Sequence, residues 1–103
     1  MDKDLASALL AATLGVPVLL LCTGVEKVAI RYRQPGHTDL GRITVAEARR
    51  HLEAGEFPAG TMGPKMLAAI EFLERGGREA IITSLEHLAA AVAGKTGTRV
   101  VAP

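Results

Sequence analysis

Apolar and polar positions alternate along the chain in blocks that change period. From Leu5 to about Leu14, Leu5, Ala8, Leu9 and Ala12 recur on one helical face. Asp4 stands where an N-cap is expected and Gly15 where the helix must stop. Pro17 then introduces Val18-Leu19-Leu20-Leu21-Cys22, an unbroken apolar run. Such a run suits a parallel strand covered on both faces, with Cys22 buried as a small apolar residue. Val28 to Tyr32 is a second strand with polar neighbours, placed near an edge.

Arg33 to Gly41, with Pro35, two glycines and Asp39, predicts a surface loop. Thr44-Val45-Ala46-Glu47 is a capping box that opens a helix running to Ala54, with Gly55 as its stop. Val45, Ala48 and Leu52 give that helix one apolar face. After a loop from Phe57 to Gly63, Pro64 takes a favoured first helical position. This helix runs to about Arg75, buries Met66, Leu67, Ile70 and Leu73, and ends at Gly76-Gly77. Ala80-Ile81-Ile82-Thr83 is a buried strand; Ser84 caps a helix from Leu85 to Ala93, and Thr98 to Ala102 closes the series as a strand. Helices alternating with short apolar strands predict an α/β fold on a mainly parallel sheet.

Composition adds limits. Apolar residues make up 49% of the 103, which excludes a highly charged disordered chain. The balance of 12 basic against 11 acidic residues, +1 net, gives no ground for a nucleic-acid partner. The one cysteine excludes an internal disulfide framework. No apolar run approaches the ~20 residues of a membrane span, and no basic-then-apolar leader opens the chain, so a cytoplasmic protein without a membrane partner is expected.

Two stretches carry candidate chemistry. Gly60-Thr61-Met62-Gly63-Pro64-Lys65 puts a lysine into the first turn of a helix, where the macrodipole is positive and a cation costs roughly 0.3–1 kcal/mol. Lys65 is out of place there unless an anion such as phosphate sits beside it, and the glycines would let a ligand approach the backbone. The competing reading is a lysine that snorkels into water. Asp2-Lys3-Asp4 repeats the arrangement, although Asp4 as a cap and Lys3 as a terminal charge explain it without a ligand. Gly94-Lys95-Thr96 is no P-loop: position 89 is alanine where the motif needs glycine, and a helix precedes the triplet. His37, His51 and His87 lie on separate elements, and none pairs with Cys22 or a carboxylate at metal-ligand spacing.

Taken together, Asp2-Lys3-Asp4-Leu5-Ala6-Ser7-Ala8-Leu9-Leu10-Ala11, Thr23-Gly24-Val25-Glu26, Phe57 to Lys65, Ala80 to Leu85 and Gly97-Thr98 resemble the C-terminal part of carbamate kinases, in the amino acid kinase family. The order and spacing are kept across essentially the whole chain. The resemblance implies a three-layer α/β/α sandwich, with residues 1–103 as the C-terminal nucleotide-binding portion and the N-terminal portion absent. It implies reversible phosphoryl transfer between ATP and carbamate, with Mg²⁺. Lys3 would meet the transferring phosphoryl group; Asp4 would steady the lysines and lie near the metal. Lys65 would bind the nucleotide phosphates, and Thr23, Gly24, Met62, Gly63 and Pro64 would form parts of the nucleotide pocket. Gly24 replaces an aspartate common in the family, and Ala29 a tyrosine that lies near the adenine. The partners implied are a nucleotide, a small acid, and either a second copy or a complementing N-terminal chain. The alternative is a non-catalytic α/β fragment that oligomerises and does not turn over nucleotide.

Overall fold

The computed structural model describes residues 3–31, 34–57 and 62–102, and of residues 3–6 only the backbone. Helix α1 (Lys3–Thr13) leads into strand β1 (Val18–Thr23). A two-stranded antiparallel hairpin follows, β2 (Ala29–Ile30) with β3 (Thr38–Asp39). Strand β4 (Arg42–Thr44) runs straight into α2 (Val45–Glu53), and α3 (Met62–Glu74) precedes β5 (Glu79–Ser84). A 3₁₀ turn at Leu85–His87, helix α4 (Leu88–Val92) and β6 (Thr98–Val101) complete the described chain.

The main sheet has the order β1-β5-β6-β4. The β1–β5 and β4–β6 pairings are parallel; β5–β6 is antiparallel. The register puts Leu19 and Leu21 of β1, Ala80 and Ile82 of β5, Val100 of β6 and Ile43 of β4 on one face. All are buried, in one core with Ala8 of α1, Ala48 of α2, and Met66, Ala69, Ile70 and Phe72 of α3. Small side chains on α1 and α3 bring these two helices into extensive contact. The other face carries Leu20, Ile81, Arg99 and Arg42 in one row and meets α4, whose Ala91 is fully buried. Helices thus lie on both faces of a mostly parallel sheet, as expected.

The local signals explain most element ends. The Thr44–Glu47 capping box forms, with the Thr44 hydroxyl accepting the Glu47 amide at 3.2 Å and the Glu47 carboxylate accepting the Thr44 amide at 3.1 Å. Gly15, Gly55, Gly76 and Gly94 take positive φ just past helix ends, where glycine costs least.

Six expectations need correction, the first being Leu67 of α3, which was expected to be buried and is 41% exposed. The β1 strand is not covered on both faces: Leu20 is 42% exposed and Cys22 is exposed, because β1 is an edge strand and α4 sits over β5. The expected Val28–Tyr32 strand shrinks to Ala29–Ile30, and part of the expected loop pairs with it as β3; Tyr32 and Arg33 lie outside the described residues. Helix α1 begins at Lys3, so Asp4 lies inside its first turn rather than capping it. Helix α3 begins at Met62, which makes Pro64 its third residue; proline is tolerated there because that amide has no intrahelical acceptor. Ser84 bonds the His87 ring rather than a backbone amide, and the helix after it is split into a 3₁₀ turn and a short α4.

Candidate functional site

Two helices and two strands define one end of the sheet. The amides of Arg78 and Glu79, at the start of β5, both donate to the Pro17 carbonyl just before β1, at 2.9 and 3.3 Å. The turns at Gly15 and Gly76-Gly77 are short, so α1 and α3 both finish beside this point. The two helices pack together, and each precedes one of two neighbouring parallel strands, so both begin toward the opposite end of the sheet. There β1 and β5 finish in register, Thr23 beside Ser84. Two positive macrodipole ends therefore lie toward the end where two parallel strands terminate, the usual ligand-binding position of an α/β sheet.

The expected site residues fall at this end. Met62, Gly63, Pro64 and Lys65 form the first turn of α3. Pro64 has no N–H, so the amides of Met62 and Gly63 are the donors this turn leaves for a ligand. Lys65 is half-buried and Gly63 buried. Lys3 and Asp4 form the first turn of α1, with side chains outside the described residues, as are Gly60 and Thr61 altogether. Thr23 ends β1, half-buried, and Gly24 follows, exposed, with open space where a Cβ would stand. The described residues include no group of three or more His, Cys, Asp or Glu placed to hold a metal ion.

Two fully buried threonines that the sequence pattern did not single out hold the loop after Thr23. Thr83, on the α4 face of β5, donates from its hydroxyl to the Glu26 carbonyl at 2.9 Å. Thr98, on the opposite face of β6, accepts the Val28 amide at 2.8 Å and donates to the Leu40 carbonyl at 2.6 Å. The loop is gripped from both sides of the sheet. The Glu26 side chain is held as well, by the Thr96 hydroxyl, which donates to it, and His87 Nε2 lies 3.6 Å from the carboxylate. Ser84 Oγ stands 2.6 Å from His87 Nδ1. The only sequence signal for these partners was polar residues, Thr83 and Thr98, inside strands that otherwise bury apolar side chains.

This is the geometry of an α/β protein that presents helix N-termini at the carboxyl ends of parallel strands. The chain belongs to the amino acid kinase family, whose model matches residues 1–84. It is 46% identical over 100 residues to the carbamate kinase-like protein YahI of Escherichia coli K12, and 46% over 100 residues to the carbamate kinase of Thermococcus kodakarensis. Each match covers 97% of this chain and 32% of the relative, so the chain spans about a third of their length. Carbamate kinase from Giardia lamblia bound to AMP-PNP superposes with a TM-score of 0.95 at 43% identity, covering 99% of this chain and 32% of that one. No described helix is long and apolar enough to cross a membrane.

Proposed function

We propose that this chain is the nucleotide-binding side of a carbamate-kinase-like phosphotransferase, which moves a phosphoryl group reversibly between ATP and carbamate when the remaining length of such an enzyme is supplied. The observation that carries the reading is that α1 and α3, packed together and each with a lysine in its first turn, begin toward the end of the sheet where β1 and β5 finish. A helix N-terminus with a lysine in its first turn offers a phosphate both backbone N–H groups and a full positive charge. The Giardia lamblia relative, which is bound to the ATP analogue AMP-PNP, supports a nucleotide as the anion.

In this reading Lys65 and the Met62 and Gly63 amides receive the nucleotide phosphates. Thr23 and Gly24 line the pocket with Pro64. Lys3 meets the phosphoryl group in transfer, and Asp4 steadies the lysines. Phosphoryl transfer asks the protein mainly for positioning and for charge at the equatorial oxygens, and two ammonium groups on two helix ends answer that demand. Magnesium commonly binds through one or two carboxylates with substrate phosphate oxygens and water, a donor set that Asp4 and the nucleotide match. The ion would neutralise charge on the nucleotide phosphates. The acceptor is a small acid, and its pocket belongs to the length that this chain does not span.

Equilibrium dialysis of the chain against Mg·ADP tests the proposal. Binding should be measurable and should weaken about 10-fold or more in Lys65→Ala, the loss of one charged hydrogen bond at ~1.5–3 kcal/mol. A folded chain that takes up no nucleotide refutes it.

A further inference from the structure

The α4 face of the sheet holds a second concentration of positive charge that the nucleotide reading does not use. A cavity of about 380 Å³ opens there between the turn after α4 and the start of β4, lined by Lys27, Arg42, Lys95 and Arg99 with Gly41, Gly94, Thr96 and Gly97. Arg99 is already engaged: it donates to Glu79 at 2.7 Å and to the Ala91 carbonyl at 2.6 Å. Lys27, Arg42 and Lys95 have no carboxylate partner among the described residues. The Glu26 carboxylate nearby is shared by Thr96 and His87. The three uncompensated cations come from three different loops or strands, so sequence proximity does not explain why they meet.

The cavity is built, not incidental to a loose surface. Gly97 is buried with φ +86, and a Cβ there would stand 3.1 Å from Ala91 Cβ and 3.3 Å from Thr83 Cβ. The turn Gly94-Lys95-Thr96-Gly97 is therefore pressed against α4 and β5 and fixes Lys95 at the rim. The β4–β6 register sets Arg42 opposite Arg99 on the same face of the sheet. The volume falls in the lower range for small-molecule sites.

We propose that this cavity binds a small multivalent phosphate compound, at a site separate from the α1 and α3 termini, which lie on the other face. Three unpaired cations demand several negative charges on one compact ligand. A di- or triphosphate supplies them at a density that a monocarboxylate does not, and Arg42 offers the planar fork that phosphate accepts. The phosphate could be free or the tail of a nucleotide; both present the same oxygens. The site is open to solvent, so its affinity should fall as salt rises.

The test is a titration of inorganic tripolyphosphate into the full chain, followed through amide NMR resonances. The amides of Gly41, Thr96 and Gly97 should shift, and should shift equally in Lys65→Ala. In the triple variant Lys27→Ala, Arg42→Ala, Lys95→Ala, which alters exposed or half-buried side chains only, the same amides should need at least 10-fold more ligand. Unmoved amides in the parent chain, or an unchanged titration in the triple variant, overturn the proposal. Loss of the shifts in Lys65→Ala also overturns it, by placing the anion at α3. ATP added to the Lys65→Ala chain separates the two sources: movement of these amides assigns the cavity to a nucleotide tail, and their rest assigns it to free polyphosphate.

Discussion

The hydroxyl of Thr98 accepts the Val28 amide at 2.8 Å across 70 residues of chain, at a site with no solvent exposure. The same hydroxyl donates to Leu40. One side chain thus ties the loop after β1 and the end of the β2–β3 hairpin to β6. Thr98→Val keeps the shape and removes both bonds, leaving a buried donor and a buried acceptor. The expected loss is about 2–4 kcal/mol, read as a lower denaturation midpoint at an unchanged m-value. Thr98→Ser should recover most of it. Equal stability of the valine variant and the parent contradicts the assigned role.

Gly77 and Gly24 should respond oppositely to substitution. A Cβ on Gly77 would stand 2.2 Å from the Phe72 ring, which is itself fully buried and unable to withdraw. Gly77→Ala should cost about 1–3 kcal/mol by overpacking. Gly24 has nothing within 4 Å of that position and no positive φ. Gly24→Ala should be neutral or stabilising by up to about 1 kcal/mol, through a less free unfolded chain. Thermal unfolding of the two variants side by side checks the pair; the reverse order would refute the packing described.

Arg99 and Glu79 form the best-shielded ion pair among the described residues, at 20% and 27% side-chain exposure. Arg99→Met leaves the carboxylate without its partner and the Ala91 carbonyl without this donor. Stability should fall by about 1–3 kcal/mol, whereas Arg75→Met, which breaks the exposed pair with Glu71, should change it by less than about 0.5 kcal/mol. Urea titrations that rank the two variants equally would count against the difference in burial.

Leu20 lies on the α4 face next to the fully covered Ile81, yet is itself 42% exposed. In this chain Leu20→Ser should cost less than about 1 kcal/mol, since much of the side chain already meets water. Ile81→Ser removes a side chain that is 2% exposed and should unfold the chain at a far lower denaturant concentration. Similar midpoints for both would show that the two faces of the sheet differ less than described.

The periodic pattern made the frame legible. Every helix and every strand of the main sheet except β4 follows from an apolar run, a cap or a glycine stop, and the capping box at Thr44–Glu47 formed as read. Coverage was not legible. An unbroken apolar run such as Val18–Cys22 looks the same whether both faces are packed or one is open, and only the sheet order shows that β1 lies at an edge. The hairpin was missed because two-residue strands, Ala29–Ile30 and Thr38–Asp39, are too short to show a period. At the candidate site, Lys65 stood out because charge and dipole conflict locally, a signal carried within one turn. Thr83 and Thr98 did not, because their partners Glu26, Val28 and Leu40 lie 57 to 70 residues away. The basic cavity was hidden for the same reason: Lys27, Arg42 and Lys95 are brought together only by the strand order.

In the proposed function an anion is received by two helix ends at once. Amide chemical-shift mapping of the chain with Mg·AMP-PNP tests this most directly. The largest movements should fall on Lys3, Asp4, Met62, Gly63 and Lys65, in both first turns together and with one common midpoint. A nucleotide that moves neither turn, or moves α3 while α1 stays still, would contradict the shared site.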